Sequence, residues 1–590
     1  MARLDPHSYT DSEQPQIASL DWNARIDFDR RVFEAEAILT LKTPGSGVLD
    51  LDTRELQIDE VSGLDGRPFS HALSAPEKII GARLRIELPS NSSALRIRYR
   101  TSPSASALQW LEPAQTFGKS QPFLFSQCQA IHARSIVPIQ DTPRIRIGYR
   151  AQLTVPKRLR ALMAARFIAR REIGTTAVER YETAEPIPPY LLALAVGELA
   201  FRDLSNRSRV WAEPSIVDRA AWEFAGVESM LGAAEAMFGP YLWERFDILT
   251  MPLSFPYGGM ENPRLTFLTP TVLAGDRSLV NVLAHELAHS WTGNLVTNAS
   301  AEHFWLNEGF TVFAERRILE GLEGPEVGAL HAALGRRALD EAIERFKERP
   351  QLTRLRTQLA GIDPDEAFST IPYEKGYLFL RTVEVAVGRT AFDVFLRKYL
   401  ERFAFQSITS EEFVATLDEL LPQARKVVDI DGWIFGEGVP AGAPAPRSSR
   451  LEALATLGAD LPSEGLANTW TPTEWQLYLE SVPRPASLQF CEALDSKFQL
   501  SQSRNYEILV AWLVLAVCSN YSPALPSVER VLAQVGRMKY LRPIYTVLTK
   551  NPEMRQLAVQ FFERFRSIYH PIARHVVESV LQSGSTNCAP

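Results

Sequence analysis

Hydrophobic residues alternate with polar ones along much of the first two hundred positions. The alternation is clear at Phe33, Ala35, Ala37, Leu39 and Leu41. Because successive side chains of a strand point to opposite faces, a period of two predicts strands with one buried face. Residues 1–199 are therefore expected to form an antiparallel β domain.

A polar turn interrupts a second stretch of this alternation. Apolar residues alternate on both sides of Pro89-Ser90-Asn91-Ser92-Ser93, at Leu84, Ile86, Leu88, Leu95, Ile97 and Tyr99. Proline, serine and asparagine favour turns, because proline fixes φ and short polar side chains bond to nearby backbone. The pattern predicts that the two segments form an antiparallel hairpin.

Longer helical segments replace the strands between residues 200 and 436. One of them carries His285 and is expected to be a buried helix that ends at Gly293. A second helix is expected to follow Asn307, whose side chain can cap its first turn. Glu308 and Glu315 are then on one face of this second helix.

Residues 437–450 are rich in proline, alanine and glycine, which is typical of a linker. Short helical patterns punctuated by proline follow in residues 451–590, at Thr473–Val482, Tyr506–Cys518, Ser527–Val535, Pro552–Ile568 and Ile572–Leu581. Stacked helical pairs in a solenoid fit this pattern. The overall expectation is a multidomain α+β protein.

Composition narrows the class of protein. A chain of 590 residues is too long for one hydrophobic core, and its net charge of -7 argues against a nucleic-acid partner. No apolar stretch approaches the length of a membrane span, so no membrane partner is expected. Cysteine is scarce and irregularly spaced, at Cys128, Cys491, Cys518 and Cys588, which disfavours a disulfide framework. A cytoplasmic monomer is the expected state.

The segment His285-Glu286-Leu287-Ala288-His289 carries the main chemical signal. Two histidines four apart project from one face of a helix, so one metal ion can bind both. Zinc in such sites takes a third protein ligand and keeps a position for water. Glu308 is the natural third ligand, and Glu286 can act as a base. The alternative, two hydrogen-bonded core histidines, is disfavoured because burying these groups unpaired is costly.

Two other segments carry weaker signals. In Tyr257-Gly258-Gly259-Met260-Glu261 the glycines let backbone approach a ligand, and the carboxylate can hold a cation. A tight turn with a solvated glutamate is the competing interpretation. Tyr373 offers a phenol that can donate to an oxyanion, although a buried tyrosine at a helix start also fits. Arg537 and Lys539 are either a cationic site or a solvated surface pair.

Together these segments resemble the zinc aminopeptidase family of aminopeptidase N and leukotriene A(4) hydrolase, and the leukotriene A(4) hydrolase branch most closely. The matching motifs are Gln127 to His132, Phe255 to Pro263, His285 to Thr297, His303 to Gly309, Ile362 to Asp365, and Pro372 to Gly376. The resemblance implies an N-terminal β-saddle, a thermolysin-like catalytic domain and a C-terminal armadillo-like helical domain.

The resemblance also implies roles at the metal. His285, His289 and Glu308 would bind one Zn²⁺ per chain, and Glu286 would be the general base. Tyr373 would stabilise the oxyanion. Glu315 would orient a histidine ligand, with a structural salt bridge as the alternative.

The same resemblance implies a substrate with a free N-terminus. Glu261 matches the position that binds the α-amine, with Gln129 beside it, and an internal peptide bond would leave this carboxylate unpaired. Tyr257, Gly258, Gly259 and Met260 would line the cleft. Arg537 and Lys539 match a carboxylate-binding pair, which implies a preference for short peptides.

Two alternatives stay open. Asp365 matches the carboxylate that directs water in the epoxide hydrolysis of leukotriene A(4) hydrolase, but Phe368 stands where animal members have tyrosine. We therefore expect aminopeptidase activity, with epoxide hydrolysis weak or absent. The other alternative is a non-catalytic peptide-binding scaffold, which the completeness of the motifs disfavours.

Overall fold

The computed structural model describes Arg3 and residues 5–583. The first part of the chain is built from strands: β1 Ile17–Asp27, β2 Val32–Thr53, β3 Gln57–Ser62, β4 His71–Leu73, β5 Ala82–Arg100, β6 Leu108–Leu111, β7 Phe123–Ser126, β8 Ile147–Pro156, β9 Arg160–Met163, β10 Arg166–Ile173, β11 Thr176–Ile187 and β12 Leu194–Gly197. One sheet has the order β10-β11-β8-β1-β2-β5-β3, with β4 paired to β5, and a smaller sheet has the order β6-β7-β12-β9. In the larger sheet β1 and β8 run parallel, whereas the neighbouring pairs are antiparallel.

The predicted hairpin around Pro89 is wrong. Leu84 and Leu95 belong to the same strand, β5, where they pair with Leu51 and Leu39 of β2. The register of this pairing shifts opposite the polar segment. Because proline has no N–H to donate to the ladder, the segment forms an exposed irregularity and the strand continues beyond it.

The middle part of the chain surrounds a sheet with helices. Its strands are β13 Ala200–Asp203, β14 Arg209–Ala212, β15 Asp247–Thr250, β16 Gly259–Met260, β17 Leu265–Leu268, β18 Val296–Asn298 and β19 Gln406–Ile408. The sheet order is β13-β14-β15-β17-β16, with β18 and β19 paired separately. The helices are α1 Val217–Glu223, α2 Val227–Phe238, α3 Asn281–Ala288, α4 Trp305–Glu323, α5 Pro325–Arg345, α6 Pro364–Ala367, α7 Gly376–Val387, α8 Arg389–Arg402, α9 Ser410–Leu420, α10 Ala424–Val427 and α11 Ile430–Phe435.

Two predicted helix limits in this part are wrong. Helix α3 ends at Ala288, because the chain turns and Asn294 N–H bonds to the carbonyl of His289, 2.9 Å away. Gly293 lies in that turn with φ of 139°. Asn307 does not cap α4 but lies inside its first turn. Its side chain accepts from the backbone N–H of Asn298 and donates to the hydroxyl of Tyr190, which ties α4 to the first domain.

The last part of the chain is helical. Its helices are α12 Ser449–Leu457, α13 Glu464–Ala467, α14 Pro472–Ser481, α15 Leu488–Phe498, α16 Tyr506–Cys518, α17 Leu525–Gln534, α18 Met538–Lys550, α19 Arg555–Phe565 and α20 Pro571–Ser583. Helices α14, α16, α18 and α20 stack in sequence, and α17 packs on α19. This arrangement confirms the expected helical solenoid. Of the helices described, none is long and apolar enough to cross a bilayer.

Two features of this helical part differ from the expectation. The sequence pattern missed α12, α13, α15 and α18, and α18 contains Pro543, although proline normally disfavours a helix interior. Helix α12 begins at Ser449, so the last two residues of the predicted linker segment are helical. The division of the chain at residues 199, 436 and 450 stays a prediction.

The helical domain is fastened to the loop that leads into the cleft. The N–H of Gly536 donates to the carbonyl of Leu253 at 2.8 Å, and the N–H of Met538 donates to that of Pro256 at 2.9 Å. A Cβ atom on Gly536 would lie 2.5 Å from the backbone oxygen of Ser254. The close approach therefore requires glycine at position 536.

Replacing Gly536 with alanine is expected to destabilise the protein by about 1–3 kcal/mol, because the added methyl group pushes the two backbones apart. Urea unfolding followed by tryptophan fluorescence measures the effect. The matched control is Gly465→Ala in α13, where a Cβ atom meets nothing within 4 Å. Equal stability of the two variants would contradict the proposed packing.

Candidate active site and metal centre

Three potential metal ligands converge between α3 and α4. The Nε2 atoms of His285 and His289 each lie 3.4 Å from Oε2 of Glu308. His285 and His289 are one helical turn apart, and His289 keeps helical backbone angles although it follows the last residue of α3. Glu308 is buried in the first turn of α4. The predicted ligand set is thus brought together.

In both imidazole rings the N–H group points away from Glu308. His285 Nδ1 lies 3.0 Å from a carboxylate oxygen of Glu315, and His289 Nδ1 lies 2.9 Å from the carbonyl of Thr292. Both partners are acceptors, so each Nδ1 carries the proton. Each Nε2 therefore presents a lone pair to Glu308.

The residues fit a tetrahedral metal ion. Ligand distances of about 2.0–2.1 Å give a tetrahedron whose edges are about 3.3 Å, close to the separations seen here. Among the described residues, Oε2 of Glu308 has no hydrogen-bond partner although it is buried. Two lone pairs and a carboxylate facing one another need a cation between them.

Glu286 faces the cleft beside the ligands. A Cβ atom on Gly259 would lie 2.3 Å from its Oε1, so the absence of a side chain at 259 makes room for this carboxylate. Burial raises the pKa of Glu286 to about 7, which is suited to proton transfer near neutral pH. The position fits a general base.

Glu261 lies beside Glu286 and His289, with ligand atoms of the three side chains within 4.8 Å of one another. Gln129 Nε2 lies 3.5 Å from its Oε1, and Asn294 Nδ2 donates to its backbone carbonyl at 2.7 Å. Glu261 is almost fully buried, and burial raises its pKa. Met260 beside it is held by Gln127, whose amide contacts the thioether at 3.1 Å. A buried carboxylate of this kind can receive a cationic amine.

Tyr373 stands over the metal ligands. Its ring stacks on His285 with centroids 6.2 Å apart and also contacts Phe304 and Phe368. Burial raises its pKa well above the usual value, and Glu308 adds to the effect. The hydroxyl therefore stays protonated and is available as a hydrogen-bond donor.

The turn that carries Tyr373 is anchored by its two following residues. Glu374 accepts from Arg316 at 2.8 Å, and Gly335 of α5 leaves space for this pair because a Cβ atom there would collide with both side chains. Lys375 donates to the carbonyls of Thr353 and Gly436 at 2.9 and 2.8 Å. Arg316 is the residue after Glu315 on α4. The same turn of α4 therefore contacts His285 through Glu315 and the turn that carries Tyr373 through Arg316.

Asp365 lies in the wall of an apolar cavity of about 80 Å³, together with Tyr257 and Phe368. Its Oδ2 lies 2.9 Å from Nε2 of His132. Nδ1 of the same imidazole is 2.9 Å from Arg54, which can only donate, so Nε2 carries the proton and donates to Asp365. Burial would raise the pKa of Asp365, but His132 lowers it.

Arg537 and Lys539 share one counter-ion, but the side chain of Arg537 is buried whereas that of Lys539 is 54% exposed. Lys539 Nζ lies 2.8 Å from Glu507, and Arg537 NH1 lies 3.6 Å from the same carboxylate. Arg537 is buried, and its NH2 group lies beside Gly258, where a Cβ atom would come within 2.8 Å. The guanidinium thus reaches the loop that lines the cleft.

Sequence reasoning missed several residues that shape this site. Thr311, Asn294, Arg316 and Glu507 make their contacts across long sequence separations, so no local pattern marks them. Thr292 is only three residues from His289, but it acts through its backbone carbonyl, which no residue type signals. His132 belongs to the matching motif Gln127 to His132, but that motif does not predict the contact between His132 and Asp365. Gly258 and Gly259 gave the clearest signal, because paired glycines indicate close approach.

Comparison with known proteins gives a consistent result. The model of the peptidase M1 N-terminal domain matches residues 6–191, that of the peptidase family M1 domain matches residues 222–433, and that of the leukotriene A4 hydrolase C-terminal domain matches residues 470–581. Leukotriene A-4 hydrolase of Xenopus laevis is 38% identical over 97% of this chain and 98% of its own length. Leucine aminopeptidase 2 of Neurospora crassa is 36% identical over 98% of this chain and 90% of its own.

Solved structures agree. Yeast LTA4 hydrolase in complex with bestatin superposes with a TM-score of 0.90 at 32% identity, covering 98% of this chain and 97% of its own. An M1 zinc metallopeptidase from Deinococcus radiodurans has a TM-score of 0.59 at 20% identity, covering 76% of this chain and 99% of its own, which shows a shared fold.

Substituting Glu315 with glutamine is expected to lower the affinity for Zn²⁺ by about 10–100-fold, because His285 loses the charged partner that orients it. Competition with a chromogenic chelator measures the affinity directly. Glu320→Gln, on the same helix but paired with Arg389 at the surface, is the control and should bind zinc normally. Unchanged affinity in Glu315→Gln would favour a purely structural salt bridge.

Proposed function

Because the chain belongs to peptidase family M1, whose members are zinc aminopeptidases, we propose that it removes N-terminal residues from short peptides. The observation that carries the proposal is the meeting of three acceptor atoms from His285, His289 and Glu308, with the imidazole hydrogens directed outward. We assign these residues as the ligands of one zinc ion. Bound zinc supplies Lewis acidity, which acidifies water and polarises a carbonyl.

The remaining residues of the site divide the work of hydrolysis. Glu286 takes a proton from the water that attacks the scissile carbonyl and delivers it to the leaving nitrogen. Tyr373 donates its hydroxyl hydrogen to the oxyanion that develops on the carbonyl oxygen. Glu315 and Thr292 keep the ligand imidazoles in the required tautomer, since each accepts from an Nδ1–H.

Glu261 gives the reaction its exopeptidase character. The free α-amine of a peptide is cationic near neutral pH and can pair with this buried carboxylate, with Gln129 as a second contact. An internal peptide bond has no such charge and would leave Glu261 without a partner, which is unfavourable. Endopeptidase activity is therefore disfavoured.

The other end of the substrate meets Arg537 and Lys539. Arg537 reaches the Gly258 edge of the loop that runs through Gly259 and Met260 to Glu261. We assign these two cations to the C-terminal carboxylate of the peptide, because a carboxylate forms strong charge-assisted hydrogen bonds with guanidinium and ammonium groups. Tyr257 and Asp365 line the adjoining cavity.

A cytoplasmic monomer stays a prediction. The free thiols of Cys128, Cys491 and Cys518 support a reducing compartment. Cys588 lies outside the described residues.

The non-catalytic scaffold is the weaker alternative. A protein that only binds peptides does not need a general base beside three electron-pair donors. Glu286 nevertheless lies there, in the space left by the missing side chain of Gly259. Metal analysis and the hydrolysis assay below separate the two functions.

The first test uses aminoacyl-p-nitroanilides and tripeptides, with and without N-terminal acetylation. The protein is expected to cleave the free-amine substrates only. Glu286→Gln is expected to lower kcat by about 10²–10⁴-fold while keeping its zinc, because it removes the proton acceptor and leaves the ligands. Steady-state kinetics and metal analysis measure the two effects.

The outcomes of this test are distinct. Cleavage of acetylated substrates would contradict the role of Glu261 in binding the amine. Full activity of Glu286→Gln would contradict its role as base. A zinc-loaded protein that cleaves no substrate would favour the scaffold.

Epoxide hydrolysis is expected to be slow relative to peptide hydrolysis, because Phe368 lacks the hydroxyl that a tyrosine would place in the cavity wall beside Asp365. Incubation with leukotriene A4 and separation of the products by chromatography measures this activity. Phe368→Tyr is the informative variant and should raise epoxide turnover. Wild-type epoxide turnover equal to its peptide turnover would overturn the prediction.

A further inference from the structure

An acidic residue lies beside both of the cations that are assigned to the substrate carboxylate. Glu507, in the first turn of α16, lies 2.8 Å from Lys539 Nζ and 3.6 Å from Arg537 NH1. Its Oε1 also accepts from the hydroxyl of Tyr540 at 3.0 Å. The side chain is mostly buried, so its charge is only weakly screened by solvent. Arg537 and Lys539 therefore share a single counter-charge, which leaves one net positive charge on the pair.

We propose that Glu507 determines how strongly the cleft selects peptides with a free C-terminal carboxylate, by competing with that carboxylate for Arg537 and Lys539. The inference rests on the proposed function, because it assumes that these two cations meet the substrate C-terminus. It adds a specificity-determining residue to that site.

The sign of the effect follows from the charges. A peptide carboxylate that binds both cations comes close to Glu507 and is repelled by it, because all four groups lie within a few ångströms in a partly buried site. Lys539 must also leave its ion pair to contact the substrate. Without the negative charge of Glu507, the two cations lack a counter-charge, and the substrate carboxylate becomes the group that supplies it.

The rest of the cationic site does not depend on the charge of Glu507. Arg537 NH1 donates to the hydroxyl of Tyr540 at 2.7 Å and to Thr271 at 3.2 Å, so Arg537 has two partners besides Glu507. Glutamine at position 507 keeps an amide oxygen that can accept from Tyr540. Glu507→Gln therefore removes a charge and preserves the hydrogen-bonded arrangement.

The experiment compares the best tripeptide of the panel with its C-terminal amide, using the full-length zinc enzyme. The measured quantity is the KM of the amide divided by the KM of the free acid. Wild type is expected to give a ratio above one, and Glu507→Gln a ratio about tenfold higher. Glu529→Gln is the control, because it removes the same charge from an exposed pair with Arg564 in the same domain and should leave the ratio unchanged.

A second pair of variants separates a charge effect from a structural one. Lys539→Met leaves Arg537 facing Glu507 with no net charge, so the ratio should fall towards one. In Glu507→Gln combined with Lys539→Met one net positive charge returns, and the ratio should recover towards the wild-type value. If Glu507 had only a structural role, the double variant would have a lower ratio than Lys539→Met alone.

Each outcome decides the matter. A ratio that is unchanged or lower in Glu507→Gln, or a double variant that does not recover, overturns the inference while the aminopeptidase function stands. A wild-type ratio of one refutes the carboxylate-binding role of Arg537 and Lys539, and this inference with it, whereas hydrolysis of p-nitroanilides still reports on the zinc chemistry. Should Glu507→Gln fail to fold, Glu507→Asp, which draws the charge back from Lys539, should raise the ratio by a smaller factor.

Discussion

The structure depends on one electrostatic constraint, the need to hold three electron-pair donors against one another. His285, His289 and Glu308 would repel in the absence of a cation, and the protein fixes them by placing acceptors behind each imidazole. Those acceptors come from α4 and from the turn after α3, so the packing of these two elements is tied to the metal site. The tyrosine turn is joined to the same helix through Arg316, which follows Glu315. Helix α4 therefore links the predicted ligands to the turn that carries Tyr373.

Sequence patterns predicted the local part of this arrangement. Two signals could be recognised from a few neighbouring residues: the spacing of His285 and His289, and the paired glycines at 258 and 259. Helical periodicity and the lack of a Cβ atom both act locally. The three-part architecture was also predictable from the change of period along the chain. The limits of elements were less so: the strand through Pro89 and the helix through Pro543 persist because tertiary packing outweighs the local preference of proline.

The contacts that sequence reasoning missed share a physical cause. Glu507 meets Lys539, and Arg316 meets Glu374, only after distant elements pack together, and charged residues in isolation are usually solvated. Glu507, Arg316 and Glu374 affect the site because they are buried there in ion pairs. Gly335 also depends on distant residues. Its lack of a side chain matters only because Arg316 and Glu374, from two other elements, pair in the space beside it.

The backbone bonds from Gly536 and Met538 to the loop at Leu253 and Pro256 have a wider consequence. They fix the helical domain against the loop that leads to Glu261, so Arg537 and Glu261 stand on segments that are joined by backbone hydrogen bonds. On the proposed function, this rigid connection favours peptides whose two termini have one particular separation.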